Sequence, residues 1–350
     1  MAYTSWNNVL IKEQYDKVYD LYKSTGEYTY LMEAGLLKKI LENNEEIDCF
    51  EKNSNTILQL NDNINTYHDY EKYMPYIKQF AKLKLSKKEL PDISIYEITP
   101  SLLLSFVHDL YNSMPPVIKS KFNKVFKERK DNLKFSEYRS TTIFIPHLNA
   151  SYINVQVENT IEDFMNIAHE YGHAVADLLS CYYDYFANPP FNELFSLIME
   201  LIACDFIDDH YNVPKETILY RAYTWKTVNT FCEDLLMEAK FYRKENIYHY
   251  LTNPDVGLAR TNMISLEKAR NILNMTTIER FAYALPFITA IEFYYLYKKD
   301  PELFFRYLLE FMALPIDSNY IAELDKRNLY LNEHGKEYVR KINTDIKKVI

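Results

Sequence analysis

Glycine is scarce, with 5 copies in 350 residues. Glycine supplies the left-handed backbone that tight turns need, so its scarcity argues against a chain of hairpins. Long helices joined by short polar connections are expected instead. Cysteine is sparse too: Cys49, Cys181, Cys204 and Cys232 show no paired spacing, which speaks against a thiolate zinc site or a disulfide framework. No run of 18 apolar residues occurs, so no membrane-spanning helix is expected. The opening Met-Ala-Tyr-Thr-Ser-Trp-Asn-Asn lacks the apolar core of an export signal, and a reducing cytoplasm is the expected location. Basic charge is in the minority. Forty Lys and Arg against 49 Asp and Glu leave a net charge of −9, which argues against nucleic acid as a partner.

What is present is ordinary in bulk and rich in aromatics. Hydrophobic residues make up 48% and charged residues 25%, alongside 32 Tyr and 20 Phe. That suits a mainly α globular protein of one large domain or two intimate ones. Residues 5–42 read as two helices broken near Ser24-Thr25-Gly26, and 43–64 as a polar connection. A helix is expected over 67–85, with His68 as an ordinary surface or core histidine. After Leu90-Pro91-Asp92, Thr99 as N-cap and Pro100 behind it open a helix through Tyr111. Over 119–134 seven basic residues interleave with Phe122, Val125, Phe126 and Leu133, the pattern of a helix with a solvated basic face. Between 141 and 157 the period shortens, and two strands are expected around Pro146-His147-Leu148-Asn149. An exposed edge there suits an extended peptide, with Tyr152 and Asn154 as candidate substrate-binding residues, although a plain structural hairpin is an equal alternative. Helices follow over 219–248, as a pair over 266–297 around Leu285-Pro286, and over 301–311; after Leu314-Pro315 come two short closing segments.

The stretch with chemistry in it is Ile167-Ala168-His169-Glu170-Tyr171-Gly172-His173, a His-Glu-x-x-His inside a helical pattern. Ile161, Phe164, Met165, Ala168, Gly172, Val175, Ala176 and Leu179 form one buried stripe. His169 and His173 are one turn apart at its edge, so both imidazoles can reach one metal ion. Glu170 projects from the same turn, placed to take a proton from an activated water. Thr160 as N-cap with Asp163 three residues on approximates a capping box. The next helical run, 191–206, is apolar nearly all round yet carries Glu193 and Glu200 on one face, with Ser196 beside them. A carboxylate in such surroundings is expensive unless paired or bound to a metal. Two histidines and Glu193 give three protein ligands and leave a fourth zinc position open, the pattern of a catalytic site. Glu200, two turns on, is better placed to hydrogen-bond a ligand histidine from behind. His108 is most simply structural, and His210, His249 and His334 have no ligand spacing.

On His169-Glu170-x-Gly172-His173 and Glu193-x-x-Ser196-x-x-x-Glu200, the chain resembles the thimet-type and oligoendopeptidase F family of zinc oligopeptidases. Tyr152-Ile153-Asn154-Val155 ahead of Thr160-Ile161-Glu162-Asp163, and the run from Arg306 through Leu331, look similar as well. The resemblance spans roughly residues 85–345. It implies a mainly helical, two-lobed zincin-type peptidase with a central cleft and a small sheet before the zinc helix, cleaving short peptides. It implies one zinc ion on His169, His173 and Glu193, Glu170 as base and Glu200 as support. Two departures stand out. Family members are much longer, so residues 1–80 read as a reduced N-terminal helical region before a catalytic domain over 81–350. The family also places a histidine and tyrosines on a late helix to stabilise the oxyanion; here Phe287 falls where that histidine is expected. Tyr295 and Tyr297, with Tyr294 next, are the remaining candidates. A peptide-binding homologue without turnover, or a peptidase dedicated to maturing one peptide, are the rival expectations.

Overall fold

The computed structural model describes residues 7–41, 70–87, 89–179, 193–211, 213–242, 277–314 and 318–349. Helices dominate these segments, and one three-stranded sheet lies among them. The N-terminal pair is α1 (Asn8–Thr25) and α2 (Tyr28–Leu41), joined through Gly26, whose φ of 71° is the left-handed cap that a glycine adopts at little cost. A 3₁₀ turn, Glu71–Tyr73, leads into α3 (Met74–Phe80). The helix expected over 67–85 is therefore shorter within the described residues, restarting where Pro75 suits a first turn. His68 and the 43–64 connection fall outside them.

Helix α4 (Pro100–Asn112) starts as its sequence says, with the Thr99 hydroxyl accepting from the Leu102 N–H. The basic stretch behaves differently from expectation. It forms α5 (Pro116–Lys127), a single turn α6 (Arg129–Asn132), and then strand β1 (Leu133–Ser136). Leu133 and Phe135 are buried in the main core, and Lys134 is buried as well, so the end of this run pairs in the sheet rather than facing solvent. The two expected strands are β2 (Thr141–Ile145) and β3 (Ala150–Gln156), antiparallel across a turn in which Asn149 takes a left-handed φ of 51°. β1 pairs parallel to β3 on its other side, giving the order β1-β3-β2. β3 is thus the central strand. Its alternate side chains serve two cores: Ile153 and Val155 join the main one, and Tyr152 joins Ile11, Val18, Leu37, Ile40 and Ile145 beneath α1 and α2.

Helices α7 (Glu162–Leu179) and α8 (Leu194–Tyr211) make the central pair. Behind them stand α9 (Pro214–Tyr242), α10 (Thr277–Lys299), α11 (Pro301–Met312), α12 (Tyr320–Lys326) and α13 (Gly335–Val349). Pro286 does not divide the helix expected to break there: α10 runs through it. Leu285, Phe287 and Ile288 are all buried, and packing of that extent offsets the backbone bond a mid-helix proline forgoes. No described helix is long and apolar enough to cross a membrane.

Candidate metal centre

The centre lies where α7 crosses α8. Helix α7 is tied down at its start by Asp163, whose carboxylate accepts from the Glu158 and Asn159 N–H groups, while the Thr160 hydroxyl accepts from Glu162 N. Capping therefore works through both residues expected, with Asp163 reaching back further than a capping box requires. Helix α8 is buried from Leu194 to Cys204, as its apolar sequence demands. The two helices approach closely at Gly172. A Cβ there would stand 2.8 Å from Ser196 Cα and 3.0 Å from its Oγ. Only glycine permits that approach, and it brings Glu193, at the turn opening α8, over the two histidines.

Three atoms able to ligate a metal converge. His169 Nε2 and His173 Nε2 are 3.0 Å apart, and Glu193 Oε2 is 3.1 Å from the first and 3.3 Å from the second. Bonds of about 2.0–2.1 Å at tetrahedral angles to one zinc ion require ligand atoms about 3.3 Å apart. The observed triangle has that size. Glu193 Oε2 is buried without a well-aligned hydrogen bond, and the two facing imidazole nitrogens satisfy each other only while one of them carries a proton. A divalent cation on this triangle would serve all three atoms at once. The electrostatics favour charge here. Burial pulls the His169 imidazolium down most, but contacts with Glu193 and Glu200 outweigh it and leave it well above its ordinary value. His173 is raised in the same way, against burial, by Glu193. Glu193 is pushed up by burial yet ends far below the usual carboxylate range, held there by His173 and His169.

Around the triangle sit the supporting groups. His169 Nδ1 lies 2.5 Å from Glu200 Oε1, and the other Glu200 oxygen accepts from the Tyr220 hydroxyl of α9 at 2.7 Å. Glu200 thus stands behind His169, where the sequence placed it, and Tyr220 extends the relay. Glu170 is 4% exposed, its carboxyl raised by burial against the opposing charges of His169 and His173. Thr142 Oγ1 of β2 lies 2.7 Å from Glu170 Oε2 and 2.9 Å from its carbonyl oxygen. Asp177, one turn beyond His173, is buried, with Oδ2 unsatisfied and its carboxyl pushed up to about 7 by burial.

The tyrosines expected to complete the site have other partners in the described structure. The Tyr294 hydroxyl donates to Asp205 at 2.9–3.0 Å. Tyr295 stacks on His334 with ring centres 4.6 Å apart, and Tyr297 packs against Phe304 and Phe305. Phe287 is in the core against Phe80 and Trp225. One turn earlier on α10 is Tyr283. Its hydroxyl is raised first by burial and then by the charge of Glu193, with Arg139 and His169 pulling the other way. Arg139 Nη2 donates to the Tyr283 oxygen at 3.1 Å.

The strand expectation needs correction as well. Tyr152 and Asn154 lie on the central strand, hydrogen-bonded on both sides, so β3 offers no edge to a peptide. Tyr152 is 1% exposed in the N-terminal core. The Asn154 amide donates to the carbonyls of Tyr138 and Arg139 and accepts from Ser136, and is spent on the protein itself. Among the described residues β2 is an edge strand, and it is the one that touches Glu170. A second group of possible ligands, Glu292, Glu333 and His334, differs in kind. Both Glu292 oxygens are engaged by His334, through its backbone N–H at 3.0 Å and Nδ1 at 2.6 Å, which makes an ordinary ion pair at the start of α13.

No family model matches the chain, and no curated protein matches it in sequence. In fold it is similar to three solved structures. One is PZ peptidase A with an inhibitor, at 13% identity and a TM-score of 0.55, covering 82% of this chain and 58% of that one. Another is a Chlamydophila abortus protein proposed to be a peptidase, at 12% and 0.53, covering 96% and 63%. A third is a protein proposed to be an oligoendopeptidase F, at 11% and 0.52, covering 95% and 66%. The chain spans about three fifths of the length of the structures it matches, and its own described residues are mainly helical with one small sheet.

Proposed function

We propose that the chain is a zinc-dependent peptide hydrolase acting on short peptides, with His169, His173 and Glu193 as the metal ligands. One observation carries the reading: the two histidines of a His-Glu-x-x-His helix and a carboxylate from the next helix form a triangle 3.0–3.3 Å on a side, fitted to one tetrahedral ion. Zinc, when bound, would supply a Lewis acid that polarises a carbonyl and acidifies water.

The chain's own residues supply the rest. Glu170 takes the proton of the attacking water and hands it to the departing amine. Its burial and raised pKa suit both halves of that transfer, and Thr142 holds the carboxylate in place. Glu200 fixes the His169 ring by accepting from Nδ1, so that Nε2 keeps its lone pair for the metal. Tyr283 takes over the part first expected of Tyr295 and Tyr297. Its oxygen accepts from Arg139, which leaves its own proton free to donate to the developing oxyanion. Phe287 lies in the core, so it lends no support to a peptide-binding chain without turnover.

The test is Glu170→Gln on the zinc-loaded protein with a quenched-fluorescent peptide library. Hydrolysis should collapse while zinc content stays near one per chain. Retained turnover would remove Glu170 from the reaction, and a wild-type protein that binds no zinc would remove the metal.

A further inference from the structure

We propose that Glu162 reads a cationic group of the peptide substrate, a basic side chain or the N-terminal ammonium, about three residues from the scissile bond. The inference rests on the peptide-hydrolase reading above and adds a charge preference to it.

Helix α7 opens along a single stripe. From Glu162 to Asp177 every residue is buried except Glu162, Asn166, His169, His173 and Ala176. Steps of four, three, four and three residues place all five on one face of the helix. Two of the five are the proposed metal ligands, so the stripe is the floor beside the metal centre. Asn166 and Glu162 continue that floor towards the start of α7. Glu162 lies seven residues before His169, a rise of about 10 Å along the helix. An extended peptide covers that distance in about three residues. The position of Glu162 beside the site is thus set by the helix that carries the ligands.

Glu162 is the one acidic side chain on that stripe. Its backbone N–H is held by the Thr160 hydroxyl, but among the described residues no donor or cation meets its carboxylate. Its neighbours carry the same sign. Burial first, and then the charges of Glu158, Asp163 and Glu200, push the carboxyl above its ordinary range. Those three are engaged: Glu158 accepts from Gln156, Asp163 from the Glu158 and Asn159 N–H groups, and Glu200 from His169 and Tyr220. Of the four, Glu162 alone has its charge unspent. A half-buried carboxylate among like charges is costly by itself, and a ligand cation relieves that cost. The helix dipole favours an acid anywhere in the first turn. It does not explain why this one shares the face of the metal ligands.

The test uses one peptide cut at a single bond, resynthesised with Lys, Gln or Glu at each of the three positions on either side. A shortened version begins three residues before that bond, with its N-terminus free or acetylated. Zinc-loaded wild-type protein should prefer a cation over its neutral counterpart in one of these series by about tenfold in kcat/KM, chiefly through KM. The series that shows the preference identifies the side chain or the terminus as its source. Glu162→Gln should bring that ratio close to one, and Glu162→Lys should turn it towards Glu. A residue serving only the fold or the helix dipole would change stability and leave the ratio alone. Zinc content and thermal unfolding of each variant monitor folding. No preference for a cation in wild-type protein, or a ratio unchanged in Glu162→Gln, would overturn the inference while leaving the hydrolase reading intact. Cleavage of none of the peptides would sink the hydrolase reading and this inference with it.

Discussion

Gly172 and Ser196 meet with no room for a methyl group between them, a Cβ on the glycine falling 2.8 Å from the serine Cα. Because the obstacle is backbone, no side-chain rotation can relieve it. The distance between α7 and α8 at this crossing decides whether Glu193 reaches the histidines. Gly172→Ala should therefore push the helices apart, destabilise the protein by about 1–3 kcal/mol and weaken zinc binding at least tenfold. Chelator competition and thermal unfolding would check it; zinc affinity unchanged in a folded variant would show that another contact sets the spacing.

Glu200→Gln addresses the support behind His169. The amide can still accept from Nδ1, but without charge, and the loss of such a partner typically weakens metal affinity by about 10–100-fold. Tyr220→Phe should weaken it less, since it removes one neutral donor to the same carboxylate. Titration with a zinc indicator ranks the two. A larger effect from Tyr220→Phe would reverse the proposed direction of the relay.

Tyr283→Phe should lower kcat by about 100-fold, the usual scale for one lost oxyanion donor, with little change in zinc content. Tyr295→Phe and Tyr297→Phe should stay within a few-fold of wild type, because their rings are held by His334 and by Phe304 and Phe305. Steady-state kinetics on one peptide settles which tyrosine matters.

Asp177 makes stability depend on pH. Burial raises its folded-state pKa from 3.8 to about 7, so the folded protein holds the proton more tightly than the unfolded chain does. Stability from this group is full below the unfolded value and is lost as pH climbs towards 7. The slope is at most about 1.4 kcal/mol per pH unit. Asp177→Asn should flatten that part of the curve in urea unfolding measured between pH 4 and 8. An unchanged slope would place the proton elsewhere.

Sequence legibility followed the physics of spacing. His169, Glu170 and His173 share one turn of one helix, so their juxtaposition is written in consecutive residues. Glu193 was legible because a carboxylate in an apolar run demands a partner. Strand β1 was hidden because Lys130 and Lys134 continue the charge rhythm of the helix before it. Pro286 suggested a break that burial on all sides suppressed. Tyr283 and Phe287 occupy the same face of α10 one turn apart, and helical period alone cannot say that Phe287 packs on Phe80 and Trp225 while Tyr283 meets Arg139. The role of Asn154 depended on which strand lies in the middle of the sheet, and pairing order is not a local property.

Because Tyr152 and Ile145 turn their side chains to α1 and α2 while Ile153 and Val155 turn theirs the other way, the sheet beside Glu170 has no dry side of its own. A fragment beginning at residue 81 would inherit a greasy plate wetted on one surface, along with the pocket on Trp225 that Phe80 vacates. Helices α1 and α2 act as a backing board for the sheet, and trimming them would invite clumping before any change in chemistry could be measured.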